Sequence, residues 1–305
     1  MRSCPQPSRW SALALVVTAA CVLPVTAAAA ATAPPGAGTA SVPSPQLVAL
    51  KKRLDDLAAQ KRAGNAQYWY IDAAKGKVHV AVLRGARDAA TNSFLTTFAA
   101  LTDTADVDKP VTPFVAPATA QRPTRARQGT VFGGQRIETA SGGFCSTGFN
   151  RQHNGAWITT TAGHCHKAAR DWYIGGALFG PLTRYVYPGR DYAEITPTSA
   201  WFLRTAVREQ NGHIQEIASF GDPYVGQPLC KTGARTGTTC GQVTALDVTV
   251  NYSDGPVYGL AATTVSAAEG DSGGSVYNGS TGVAMISGGP RGGGNAWVYP
   301  TRVIP

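Results

Sequence analysis

The sequence predicts an all-β fold for residues 129–305, built as two stacked barrels, with a small α+β unit ahead of it. Three observations carry this reading. From about Gly129 glycine is frequent, and short apolar or alternating runs of strand length follow one another at 155–160, 172–174, 192–195, 242–250, 258–265, 275–277, 282–287 and 296–299. Long helical periodicity is absent over the same stretch. Closely spaced short strands with Gly-rich turns belong to a sandwich or a barrel. Stretches of about 80–100 residues on either side of position 205 can each bury a core, which divides the region at about 129–205 and 206–305.

Taken in order, residues 1–33 begin with Arg2 and Arg9, continue into an apolar middle and end in small residues at Ala31-Thr32-Ala33. That is the pattern of a secretory signal peptide. The alternative, a membrane anchor, is disfavoured because the apolar core is short. Cys21 after Thr18-Ala19-Ala20 opens a lipoprotein cleavage site, but Thr18 stands where leucine is usual. Residues 34–128 divide further. Residues 34–46, rich in Pro, Gly, Ala and Ser, read as a linker. Leu47, Leu50, Leu54 and Leu57 recur at helical spacing between charged residues, predicting an amphipathic helix. Tyr68–Ile71 and Val78–Val82 flank a Gly-containing turn and read as a β-hairpin. The unit is expected to end near Ala100. Residues 103–128 read as a linker, with the Arg-rich run 122–127 as its processing site.

Charge and cysteines agree with export. Residues 1–128 hold 15 Lys+Arg against 7 Asp+Glu, whereas residues 129–305 hold 12 against 11. The basic excess lies outside the main domain, so no basic face argues for nucleic acid. Cys4 and Cys21 fall in the predicted signal peptide; Cys145, Cys165, Cys230 and Cys240 remain. An even count in an oxidising compartment reads as two disulfides. Of the three possible pairings, Cys145–Cys165 with Cys230–Cys240 is favoured because each closes a short loop. Zinc is the alternative, but neither pair has the tight Cys-x2-Cys spacing.

The chemistry sits in Glu269-Gly270-Asp271-Ser272-Gly273-Gly274 and Thr160-Thr161-Ala162-Gly163-His164-Cys165. A serine on a tight glycine turn and a histidine fixed beside a cysteine are what nucleophilic acyl transfer needs. Ser272 is the candidate nucleophile, and the N–H groups of Gly270 and Ser272 the candidate oxyanion hole. His164 is the candidate base. His164 and His166 form a His-x-His pair, but no third ligand is evident and no metal is expected. A carboxylate must orient the imidazole. Ten acidic residues lie between His164 and Ser272. Asp191 is the best placed, because it leads into the 192–195 run and so begins a strand.

The order His164, Asp191, Ser272 within these motifs resembles the chymotrypsin-like serine proteases. The short second half and Cys230-Lys-Thr-Gly-Ala-Arg-Thr-Gly-Thr-Thr-Cys240-Gly241 resemble the bacterial branch typified by α-lytic protease and the Streptomyces griseus proteases. The segment around 68–82 is similar to the pro-region of those enzymes. The resemblance implies two six-stranded antiparallel barrels with the site between them. It also implies a pro-region that assists folding and inhibits until cleaved, and a secreted, monomeric endopeptidase made as a zymogen. Its partners would be protein or peptide substrates and its own pro-region, with no cofactor and no membrane after signal removal.

The chain departs from that pattern twice. Lys231 stands where arginine usually partners the aspartate beside the serine, so a Lys231–Asp271 ion pair is expected without bidentate geometry. The cysteine that often precedes the nucleophile loop is missing. By the resemblance, Ser266 lies near the floor of the primary pocket, Ala267, Ala268 and Glu269 along one wall, and Ile286, Ser287, Gly288 and Gly289 along the other. No acid marks the base, and Ile286 stands where glutamate-selective relatives place histidine. An apolar or aromatic side chain is expected in the pocket, with Glu269 opening a basic alternative. Two other readings are an inert secreted binding module on the same fold and an esterase, which calls for helices between strands.

Overall fold

The computed structural model describes residues 42–118 and 129–301. The predicted signal peptide and the Arg-rich run 122–127 lie outside the described residues. Ser44 caps the helix Pro45–Ala59: its carbonyl and hydroxyl both accept from Leu47 N–H, and Pro45 at the first turn needs no donor partner. Leu47, Leu50, Leu54 and Leu57 are buried on one face, as the spacing predicts. They pack on the hairpin Ala66–Asp72 and Lys77–Leu83 around Trp69, Val78, Val80 and Phe94.

The pro-region extends further than its sequence suggests. A second helix, Ala89–Thr96, is capped by Asp88, and Thr102–Val107 runs parallel to Lys77–Leu83. The expected end near Ala100 is therefore too early. Thr102-Asp-Thr-Ala-Asp-Val carries no apolar run because it is the outer strand of its sheet, with one buried neighbour to satisfy. Val111–Pro113, expected to be linker, is also a strand.

The second barrel is six antiparallel strands: Pro228–Gly233, Gly237–Tyr252, Gly255–Ala267, Ser275–Asn278, Thr281–Pro290 and Gly294–Pro300. The first pairs with both the second and the fourth, which closes the ring. Inward residues Leu229, Val243, Val265, Val276, Val283 and Val298 fill it. The pro-region hairpin lengthens this sheet through Tyr68↔Val250 and Trp69↔Thr249. A polar cluster fixes that junction: buried Lys51 lies 3.1 Å from Asp55, 3.1 Å from the Thr249 hydroxyl and 3.3 Å from Asp247.

The first barrel, expected with six strands, is a seven-stranded antiparallel sheet around Val131, Ile137, Trp172, Phe179 and Ile195. The strand Phe202–Arg208 passes through position 205 and pairs parallel with Thr130–Gly133, tying the start of this region to its middle. Each predicted strand run after Gly129 lies in or across an observed strand. The two expected disulfide pairings are present, Cys145–Cys165 at 2.12 Å and Cys230–Cys240 at 1.99 Å.

Candidate active site

Three elements deliver the candidate residues. His164 lies in the 3-10 turn Gly163–Lys167 that follows the strand Ala156–Thr161, and Cys165 anchors that turn to Cys145. Asp191 precedes the strand Tyr192–Ile195, whose pairing Ala193↔Thr161 draws it beside the turn. Gly163 has no room for a side chain: a Cβ there would strike the Tyr192 backbone. Ser272 lies on the loop between Gly255–Ala267 and Ser275–Asn278, in the second barrel.

A continuous hydrogen-bonded line joins them. His164 Nε2 is 2.6 Å from Ser272 Oγ, and His164 Nδ1 is 2.9 Å from both Asp191 carboxylate oxygens. The His164 backbone N–H also donates to Asp191 Oδ1 at 2.9 Å. An ionised carboxylate only accepts, so Nδ1 carries the proton and Nε2 is free to accept from the serine hydroxyl. All three side chains are buried. Burial pushes the Asp191 pKa up, but the neighbouring His164 charge, the His164 bonds and the Ser287 hydroxyl outweigh it and hold the carboxyl below its ordinary value.

The Ser287 hydroxyl completes the carboxylate's shell and Tyr252 backs it; the sequence gives no sign of either role. Ser287 Oγ donates to Asp191 Oδ2 at 2.5 Å, and Tyr252 Oη lies 3.0 Å from Ser287 Oγ. Since the serine proton goes to Asp191, the tyrosine must donate to the serine. Burial raises the Tyr252 pKa, which keeps that phenol a donor. Ser287 was expected only as a pocket-wall residue; no local pattern announces a hydroxyl that reaches an aspartate 96 positions away.

Gly270 has φ +109°, and a Cβ would strike the Phe144 ring. Its N–H donates to the carbonyl oxygen of Phe114. No hydrogen bond from Ser272 N–H to that oxygen is present among the described residues. Asp271 is fully buried and accepts from Arg235 N–H (2.8 Å), Thr236 N–H (3.0 Å), Ala268 N–H (3.0 Å) and the Thr236 hydroxyl (2.5 Å). Lys231 Nζ lies 3.2 Å from it. The ammonium also donates to Gly237 O at 2.8 Å and to the Thr236 hydroxyl. Burial holds the Lys231 pKa below its ordinary value, offset in part by Asp271.

The pocket-wall residues are arranged differently from expectation in two places. Ser266 is exposed, while Val265 and Ala267 join the buried cluster that contains Phe114. Side chains alternate along a strand, so Ser266 falls on the opposite face from its neighbours. Glu269 accepts from Gly292 N–H at 2.8 Å, which ties its carboxylate to a turn. Ile286, Ser287, Gly288 and Gly289 lie together in Thr281–Pro290, and Ala268 is half-buried beside the Gly293 turn. His166 stacks on Tyr185 at 4.0 Å, and its Nδ1 is 2.8 Å from Gly163 O, away from the line of three. A cleft of about 420 Å³ remains beside His164, lined among others by Val115, Ala116, Lys167 and Asp254.

Over 164 residues the sequence is 41% identical to serine protease 2 of Streptomyces fradiae, covering 52% of this chain and 94% of that protein. The chain belongs to the bacterial chymotrypsin-like serine proteases. Residues 45–109 of this serine endopeptidase match the family model described as the alpha-lytic protease prodomain. Streptogrisin-A of Streptomyces griseus is 40% identical over 174 residues, covering 56% of the protease and 57% of streptogrisin-A. Among solved structures, a glutamic-acid-specific serine protease that uses a histidine triad in substrate binding is similar, at 37% identity and TM-score 0.53. That match covers 56% of this protease and 94% of the other. The chymotrypsin of Cellulomonas bogoriensis superposes at TM-score 0.51 and 34% identity, covering 57% and 93%. No helix among the protease's described residues is long and apolar enough to cross a membrane.

Proposed function

We propose that this chain is exported as a zymogen, with residues 1–33 as its signal peptide, 34–128 as linker, pro-region and processing segment, and 129–305 as the catalytic domain. Ser272 is the nucleophile, His164 the general base and acid, and Asp191 the group that orients the imidazole. The observation that carries this is the unbroken line from Asp191 through His164 to Ser272 Oγ.

His164 Nε2 takes the hydroxyl proton as Ser272 attacks the substrate carbonyl. Asp191 stabilises the imidazolium, and Ser287 with Tyr252 hold the carboxylate in place. Gly270 N–H meets the developing oxyanion, with Ser272 N–H as the second donor; one such donor is typically worth about 10²–10³ in rate. The imidazolium then protonates the leaving amine. Water attacks the acyl-enzyme by the same route and restores Ser272. Lys231 acts on this loop through Asp271, as a positioning residue.

The pocket reading is for an apolar or aromatic side chain. The cluster around Ala267, Ile286 and Ala296 is apolar, and it already accommodates a buried phenylalanine. Glu269 is held by Gly292 N–H, which disfavours the basic alternative. The walls 266–269 and 286–289 carry none of the chain's five histidines, so acidic preference lacks support here. The inert-module alternative finds no support, because nucleophile, base and carboxylate are all present and bonded. A panel of peptides differing only in the residue before the scissile bond tests this. Phe, Tyr and Leu peptides should be hydrolysed and the activity lost in Ser272→Ala; preferential cleavage after Asp, Glu, Lys or Arg would overturn the pocket assignment.

A further inference from the structure

The segment leading out of the pro-region lies extended across the active site. Val111–Pro113 pairs antiparallel with Thr281–Pro290 in the register Pro290↔Val111, Gly289↔Thr112 and Gly288↔Pro113. Next along the chain, Phe114 N–H donates to Ser287 O at 3.2 Å, and the Phe114 carbonyl accepts from Gly270 N–H. Past Val115 the backbone is gripped again, now by the first barrel. Ala116 N–H donates to Phe144 O at 3.1 Å, and Phe144 N–H to Ala116 O at 3.3 Å. The chain is thus held on both sides of a single peptide bond, Phe114–Val115. The carbonyl of that bond rests on the Gly270 donor.

The side chains agree. Phe114 is wholly buried, in one cluster with Ala267, Ile286 and Ala296. A Cβ at Gly289 would strike its ring, so the glycine is what leaves the aromatic room. The segment is also tied down from behind. Val111 N–H donates to Gln67 Oε1 at 2.9 Å, and Arg291 N–H to Pro110 O at 2.9 Å.

We propose that the first cut of maturation falls between Phe114 and Val115, made by the chain's own Ser272, ahead of the Arg-rich run 122–127. Extended peptides with phenylalanine before the scissile bond are then its substrate class. This rests on the catalytic roles proposed above. Ser272 Oγ bonds to the Phe114 carbonyl carbon while its proton passes to His164 Nε2. The carbon–nitrogen bond to Val115 breaks, and His164 returns the proton to the Val115 nitrogen. One water then hydrolyses the Phe114 ester, its proton restoring Ser272 through His164. The products are a Phe114 carboxylate, left on the Gly270 donor, and a free amine at Val115.

The test is to express the full chain and sequence the N-terminus of the large fragment at the earliest time it appears. Val-Ala-Pro-Ala-Thr is expected. Phe114→Asp should slow its appearance at least tenfold, and Phe114→Tyr should not. Because Phe114→Asp can also disturb folding, the processed wild-type enzyme is given the synthetic peptide of residues 111–118, which should be cut once, between Phe and Val. An early fragment that begins within 123–128, or an uncut 111–118 peptide in the presence of an enzyme active on other peptides, overturns the proposal and leaves the protease reading standing. Failure to cut any peptide, with no label on Ser272 from a serine-directed phosphonate, overturns the catalytic assignment and this proposal with it.

Discussion

Replacing Lys231 with methionine keeps most of the side-chain volume and removes the ammonium from a site where both it and Asp271 are fully buried. Removing one member of a buried ion pair costs about 3–5 kcal/mol, because the other charge is left uncompensated. Two features of the site place this case at the lower end. Asp271 keeps four donors: Arg235 N–H, Thr236 N–H, Ala268 N–H and the Thr236 hydroxyl. The lysine itself is costly to hold there, since burial depresses its pKa. The expected loss is about 3 kcal/mol. The assay is urea unfolding of the full chain in a Ser272→Ala background, which prevents self-digestion. With an m-value of about 3 kcal/mol/M the midpoint should fall by about 1 M. Lys231→Met combined with Asp271→Asn should recover part of that loss, since the two share one interaction. A midpoint unmoved by Lys231→Met would refute the claim that this pair holds the nucleophile loop.

Ser287→Ala leaves one Asp191 oxygen short of a buried donor, a loss of about 1–3 kcal/mol; kcat should fall about tenfold with KM little changed, and an unchanged kcat would remove Ser287 from the positioning set. Asp191 has a folded pKa below its unfolded value of about 3.9, so its ionised form contributes stability that is fully present above that pH and lost as pH falls through the folded value. In the Ser272→Ala chain, the stability gap between Asp191 and Asp191→Asn should therefore be largest at neutral pH and shrink on acidification. A gap independent of pH contradicts the assignment. Residues 129–305 expressed alone should yield little active enzyme, because the fold consists of non-local strand pairings that form slowly and the pro-region strand that pairs with Val250 is missing. Abundant activity from that fragment sinks the folding role.

The parts of the molecule that were legible in the sequence are those whose signal is local. Leu47, Leu50, Leu54 and Leu57 mark one helix face, and the valines of 242–250 and 258–265 mark strands buried in the barrel. The serine and histidine motifs are also local, because turn and cap geometry require particular neighbours. What could not be read depends on distant partners. Val111–Pro113 is a strand only because Gly288, Gly289 and Pro290 offer it an edge, and its three residues carry no pattern of their own. Thr102–Val107 pairs as an outer strand although only Ala105 and Val107 among its six residues are apolar. Ser287 was read from its place beside the pocket. Its hydroxyl serves Asp191 instead, a relation set by how the two barrels meet. The resemblance places Ser266 near the pocket floor, whereas strand alternation leaves it exposed and turns Val265 and Ala267 into the buried cluster.

The central claim is that Ser272 is the nucleophile activated by His164. It is tested most directly by reacting the processed enzyme with a fluorophosphonate and locating the adduct by peptide mass spectrometry. One adduct per chain on Ser272 is expected, forming in step with the loss of peptidase activity and greatly slowed in His164→Ala. Full inactivation with Ser272 unmodified, or undiminished activity in Ser272→Ala, would contradict it.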